Sequence, residues 1–237
     1  MVDPFFRTAD QAAPARVGYD AGLRAHMQRI FSYMALGLGL TGIVAYVVAN
    51  TALKDIIYGS PLNWVVMLAP LAFVLFLNFR LEKISMGAAQ LTFWLFCGVM
   101  GLSLGSIFVV YTEASIARVF FITAANFGVM ALWGYTTRSS LAGMGAFLMM
   151  GLFGLLIASL VNLFMASPML HWITSIIGVA IFTGLTAWNV QTIKQTYNEG
   201  WGAEANGKLA IMGALQLYMN FINAFLYLLR LMGSSRE

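Results

Sequence analysis

The sequence predicts an all-α integral membrane protein of seven transmembrane helices, on three observations. Of 237 residues, 60% are hydrophobic and only 9% charged, against about 25% charged in an ordinary soluble domain. Uncharged runs near or above the roughly 20 residues that cross a bilayer recur along the whole chain. Those runs are apolar throughout and do not alternate, which excludes a barrel of strands about ten residues long. The net charge of +4 would suggest nucleic acid in a soluble protein, but membrane proteins acquire the same bias from Lys and Arg on their inner side. The single cysteine, Cys97, lies within an apolar run, so no intrachain disulfide forms and it reads as an inert buried thiol.

Charged residues divide the chain into its elements. Between Arg29 and Lys54 lie 24 uncharged residues, and between Asp55 and Arg80 another 24; they predict spans at about 30–53 and 60–79. The gap from Lys83 to Glu113 predicts the third at about 88–110, and that from Arg118 to Arg138 the fourth at 119–137. From Ser139 to Ile193 there are 55 uncharged residues, too many for one helix, and the segment from Ala166 through Ser167 and Pro168 to Trp172 supplies a turn near the middle. Spans five and six are therefore expected at 141–165 and 172–193. Lys208 and Arg230 bracket the seventh, at 209–230, and residues 234–237 form a short C-terminal tail. Gly98, Gly101 and Gly105 in span three, and Gly143, Gly145, Gly151 and Gly154 in span five, suit close helix packing, with a dimer seam as the other use of such residues. Trp64, Trp133, Trp172, Trp188 and Trp201 fall near span ends, where tryptophan anchors a helix at the interface.

With the N-terminus inside, nine of the 13 Lys and Arg fall on the inner side and four on the outer. The positive-inside bias thus expects a cytoplasmic N-terminus, with residues 1–28 as a cytoplasmic tail. That tail mixes Asp3, Arg7, Asp10 and Arg16 without an apolar centre, so it is not a signal peptide. A bacterial inner membrane is the simplest address, and the lipid bilayer the first partner.

All nine acids lie in tails or loops, so no carboxylate is placed within a span. Proton relays and coupled transporters usually advertise themselves by intramembrane Asp, Glu, Lys or His. His26 in the tail and His171 in the outer turn are too far apart for a metal site and read as solvated interface residues. Gly101 to Gly105 matches the Gly-x-Ser-x-Gly pattern around Ser103, but a nucleophile elbow needs a strand-to-helix turn, and this run is a continuous apolar helix. Nothing else points to catalysis or a cofactor. Neutral polar residues are more informative. Gln216, Asn220 and Asn223 are spaced i, i+4 and i+7 along one helical face, continued by Tyr227. Thr183, Thr186 and Asn189 form a looser stripe on span six. The short connection between these spans makes them antiparallel, which sets Asn189 and Asn220 at similar depth. Such residues serve either as polar glue between helices, worth about 1 kcal/mol, or as the wall of a hydrated path.

These stretches resemble the Bax inhibitor-1 (transmembrane Bax inhibitor motif) family, in its bacterial branch. The similarity is carried by 33–46, 134–137, 143–148 and 158–164. Most specifically it lies in the run Gly184-Leu-Thr-Ala-Trp-Asn-Val-Gln-Thr-Ile-Lys194 and the run from Ala214 through Gln216, Asn220 and Asn223 to Arg230. It covers essentially residues 25–233. The resemblance implies seven helices with the seventh enclosed by the other six. It also implies a pH-sensitive calcium leak controlled by one aspartate in each of spans six and seven, where shared protonation acts as the switch. Those positions are Asn189 and Asn220 here. An amide cannot titrate and is a poorer calcium ligand than a carboxylate, so the chain is expected to keep the fold and lack the aspartate switch. In the closed state of the family an arginine of span two pairs with the span-six acid; Arg80 is the residue nearest that role, and a positive-inside anchor is its other reading. Ser139 and Ser140 replace a residue usually charged in the family.

Two functions follow from the resemblance. The first is a passive ion leak, with Asn189, Asn220, Gln216, Asn223 and Thr186 lining the path and calcium as the permeant ion. The second is a non-transporting regulator, since bacterial relatives are thought to modulate a membrane-anchored AAA protease. For that role the N-terminal tail is the natural handle.

Overall fold

The computed structural model describes residues 4–80 and 83–236, with side chains described over 21–77, 79–80 and 83–236. Among the described residues eight α-helices follow one another: α1 Pro4–Ala49, α2 Leu53–Tyr58, α3 Leu62–Arg80, α4 Met86–Val110, α5 Glu113–Thr136, α6 Ala142–Met165, α7 Pro168–Thr196 and α8 Gly202–Met232. Ser85, Thr112 and Ser167 cap α4, α5 and α7 by accepting a hydrogen bond from the backbone three residues on. Pro168 opens α7, and Ala166 takes a left-handed φ of 47° to end α6, so the expected turn forms within two residues.

Among the described residues six helices are long and apolar enough to cross a membrane: α4 to α7, most of α1 and all of α8. The expected second span falls on α3, whose 19 residues from Leu62 to Arg80 rise about 28 Å against a hydrocarbon layer roughly 30 Å thick, with Pro70 inside the helix. The molecule is thus an all-helical, multi-pass membrane protein.

The helix α8 is the axis of the bundle. Of its apolar window 67% is buried, against 11% for α6. Its immediate neighbours are α7, α1, α5 and α4. These four press closest on it, while α3 packs chiefly on α4, and α6 on α7. Close approach is bought by glycine at particular places. A Cβ on Gly101 would meet the Thr41 carbonyl at 2.8 Å, and Gly105 lies under Tyr58 and Val48, so the Gly-x-x-x-Gly of α4 seats α1. Gly98, Gly143 and Gly154 have open space beside them and carry no such contact.

Several features add to or correct the expectation. Helix α1 continues back through 21–28, where Leu23, His26 and Met27 are buried. Leu23, Met27, Ile30 and Met34 form one seam at helical spacing into the core, while Arg24 and Arg29 lie outside that seam and are exposed. Cutting the chain at charges therefore placed the boundary too late. His26 accordingly packs against Tyr197, with ring centroids 5.1 Å apart, and is not a solvated residue. The C-terminal tail is pinned to the α4–α5 junction: Thr112 N–H donates to Ser234, Arg236 N–H to Val110, and Ser234 N–H to the Ser115 hydroxyl. Trp188 is no interface anchor, since its ring covers Gly145 of α6.

Candidate functional site

The site grows from the surface of α8. Between Ala210 and Leu226, twelve positions are buried and five are not: Met212, Gln216, Met219, Asn223 and Leu226. Their spacing of 4, 3, 4 and 3 puts all five on one strip of helix. This strip is the least buried face of α8 over that length: Gln216 is exposed, and Met212, Met219, Asn223 and Leu226 are half-buried. Two of the five are amides. Polar side chains at membrane depth face the bundle interior or a water-filled cavity as a rule, so two amides on the least buried strip of α8 are the feature that apolar packing does not account for.

The residues expected to line a path are distributed around that strip. Gln216 is exposed and Asn223 half-buried, with the Asn223 amide donating back to the Met219 carbonyl at 2.8 Å. Asn220 is buried, and its Nδ2 has no hydrogen-bond partner among the described residues. Asn189, on α7, is half-buried and shares no hydrogen bond with Asn220. The two amides are therefore not a bonded pair. Thr186 is buried and donates to Phe182 within its own helix, so its hydroxyl is withdrawn from any path. Tyr227 stacks on Phe182 at 5.9 Å and leaves the polar face. Arg80 is exposed at the end of α3, with no ion pair to an acid and no hydrogen bond to Asn189 among the described residues. No group of three His, Cys, Asp or Glu that could hold a metal ion occurs among the described residues.

Three polar contacts had no signal in the sequence. The fully buried Tyr218 hydroxyl lies 2.7 Å from Thr41 Oγ1, which donates to the Cys97 carbonyl at 2.8 Å. This chain ties α8 to α1 and α4 at the centre of the bundle. Asn126 of α5 donates to Thr183 of α7 at 2.7 Å, so Thr183 is interhelical glue. The Gln191 side chain accepts from Leu141 N–H at 2.8 Å and donates to the Ser139 carbonyl at 2.9 Å, fixing the α5–α6 connection on α7. A single Thr, Asn or Gln in an apolar run announces that a partner exists, but the partner's identity depends on helix rotation.

The family model described as "Inhibitor of apoptosis-promoting Bax1" matches residues 23–237. The inner membrane protein YbhL of Escherichia coli is 41% identical over 91% of this chain and 94% of its own length. An uncharacterized protein of Rickettsia prowazekii is 42% identical over 92% of this chain and 93% of its own. One of Caulobacter vibrioides is 40% identical over 94% of each. A match over nine-tenths of the chain takes in α8, its amide strip and the four helices around it. The chain belongs to the Bax inhibitor-1 family.

Proposed function

We propose that the chain is a cation-leak scaffold of the Bax inhibitor-1 kind, with calcium as the permeant ion and no titrating switch. The observation that supports this most is the least buried strip of α8, on which Gln216 and Asn223 lie with the orphaned amide of Asn220 beside it. Leaving a buried amide N–H unpaired costs about 1–3 kcal/mol, and a residue kept at that cost is better accounted for by function than by packing. Asn189 and Asn220 stay neutral across the physiological range, so the leak has no proton-controlled step at these positions. The reading requires no catalytic residue and no cofactor. The inner-membrane name of the Escherichia coli relative supports a bacterial inner membrane, and the charge bias supports a cytoplasmic N-terminus.

The test is calcium flux in proteoliposomes between pH 6 and 8. Wild type should pass calcium with little dependence on pH, and Asn189→Asp/Asn220→Asp should gain a steep one. A steep dependence near neutrality in the wild type would sink the reading. If neither form conducts, the regulator of a membrane AAA protease becomes the better reading. The absence of a bonded Asn189–Asn220 pair favours that alternative, since nothing joins the two sensor positions. Deleting residues 2–20 should then abolish the effect on the protease while leaving the buried seam from Leu23 onward intact.

A further inference from the structure

On the side of α8 away from the amide strip, the wall has a gap. Helices α1 and α5 both pack on α8, yet among the described residues they make no extended contact with each other. The gap is a cleft between α1 and α5, with Phe221 of α8 at the floor of its inner parts. One part, about 470 Å³, lies between Arg24, Gln28, Phe31, Phe127 and Tyr135. The next, about 570 Å³, runs on past Met34, Leu38, Gly39 and Gly42 to Ile43, and shares Phe127 with the first. Beyond Gly42 the cleft narrows to about 80 Å³ beside Ala45 and Phe225. It is thus wide at the Arg24 end and nearly closed at the other. A second observation agrees with open space: a Cβ built on Gly39, Gly42 or Gly128 meets nothing within 4 Å.

The charge is as one-sided as the shape. Arg24 and Gln28, one helical turn apart, stand exposed at the wide mouth. Lys194 lies behind the mouth, donating to the Tyr135 carbonyl at 2.9 Å and sitting 5.0 Å from the Tyr135 ring centroid. Among the described residues no acidic side chain lines either wide part of the cleft. An apolar trough with a cationic, hydrogen-bonding mouth is complementary to a molecule with an anionic head and an alkyl tail. From Arg24 to Ile43 the trough is about 28 Å long. It narrows beyond Gly42, a taper that suits a thin chain better than a helix of constant ~10 Å width. From Gln28 to Leu38 is about 15 Å, the depth of one leaflet of a ~30 Å hydrocarbon layer.

We propose that the α1–α5 cleft seats an acyl chain of one anionic phospholipid, from the leaflet at the Arg24 end, with the lipid phosphate held by Arg24 and Gln28. Retention of the lipid should be selective for charge at the mouth and for volume in the trough, and those two properties can be removed separately.

The experiment is native mass spectrometry of the full-length chain, delipidated in detergent and titrated with phosphatidylglycerol or phosphatidylcholine of equal chain length. Wild type should retain one phosphatidylglycerol about fivefold more tightly than phosphatidylcholine, the factor equivalent to the ~1 kcal/mol that one Arg contributes at an anionic surface. Arg24→Ala should remove the preference and leave weak binding of both lipids. Gly39→Leu/Gly128→Leu, which fills open space and so should fold, should cut retention of both lipids severalfold. Equal retention by the filled variant and wild type would overturn the proposal, as would an undiminished preference in Arg24→Ala. A filled variant that instead lost a dimer would assign the cleft to a second copy of the chain and overturn it too. Circular dichroism and elution volume check that each variant is folded.

Discussion

Tyr218 shows how a polar group is kept in an apolar bundle. Its hydroxyl donates to Thr41 Oγ1, because the Thr41 proton is already committed to the Cys97 carbonyl. The two ends of that bond should therefore respond unequally to substitution. Tyr218→Phe leaves Thr41 still bonded and should cost about 0.5–1.5 kcal/mol. Thr41→Val strands a fully buried hydroxyl and should cost about 1–3 kcal/mol. Unfolding of both variants in detergent, followed by helicity, measures the difference; equal losses would contradict the direction of the chain. Asn220 is the opposite case, a buried amide whose Nδ2 has no partner. At this scale the sequence marked Asn220, Asn223, Gln216 and Asn189 as the polar residues of the spans, because polarity in such a run is conspicuous. It left Tyr218, Asn126 and Gln191 without roles, since each bonds to a residue more than 45 positions away.

Among the elements, glycine separates helices that must touch from helices that merely lie in lipid. A Cβ on Gly134 of α5 would meet the backbone carbonyl of Ala187 on α7, and a backbone cannot swing aside as a side chain can. Gly134→Ala should push α5 off α7 and cost about 1–3 kcal/mol. Gly154→Ala faces open space and should be neutral or stabilising by up to ~1 kcal/mol, since Ala is the better helix former. Their melting temperatures in detergent should move in opposite directions or at least differ by that amount; equal shifts would mean that Gly134 is not at the contact. Small residues alone did not reveal which glycines pack, because all lie in equally apolar helices. Helix α1 makes the same point about boundaries. Its charges divide it at Arg29, yet its buried seam already includes Leu23, since exposed arginines on one face leave the other free to pack.

For the whole molecule, orientation is the property still carried by sequence alone. The end bearing Arg24, Arg138 and Lys194 should face the cytoplasm, and the end where Arg236 pairs with Glu113 at 3.3 Å should face outward. Cys97 is buried, so single cysteines introduced at exposed positions report cleanly. A membrane-impermeant maleimide on intact cells with a permeabilised outer membrane should label Arg236→Cys and spare Arg138→Cys; the reverse pattern would invert the topology. By itself the sequence determined the class, the long apolar runs and the exclusion of every acid from them, because a charge in hydrocarbon is costly wherever the neighbouring helices lie. Only the tertiary structure decided which four helices press closest on α8, which strip of it is least buried, and that α1 and α5 stand apart. In a membrane an apolar side chain is nearly as well off against lipid as against another helix, so hydrophobic pattern fixes what is inside the bilayer and leaves open what is inside the protein.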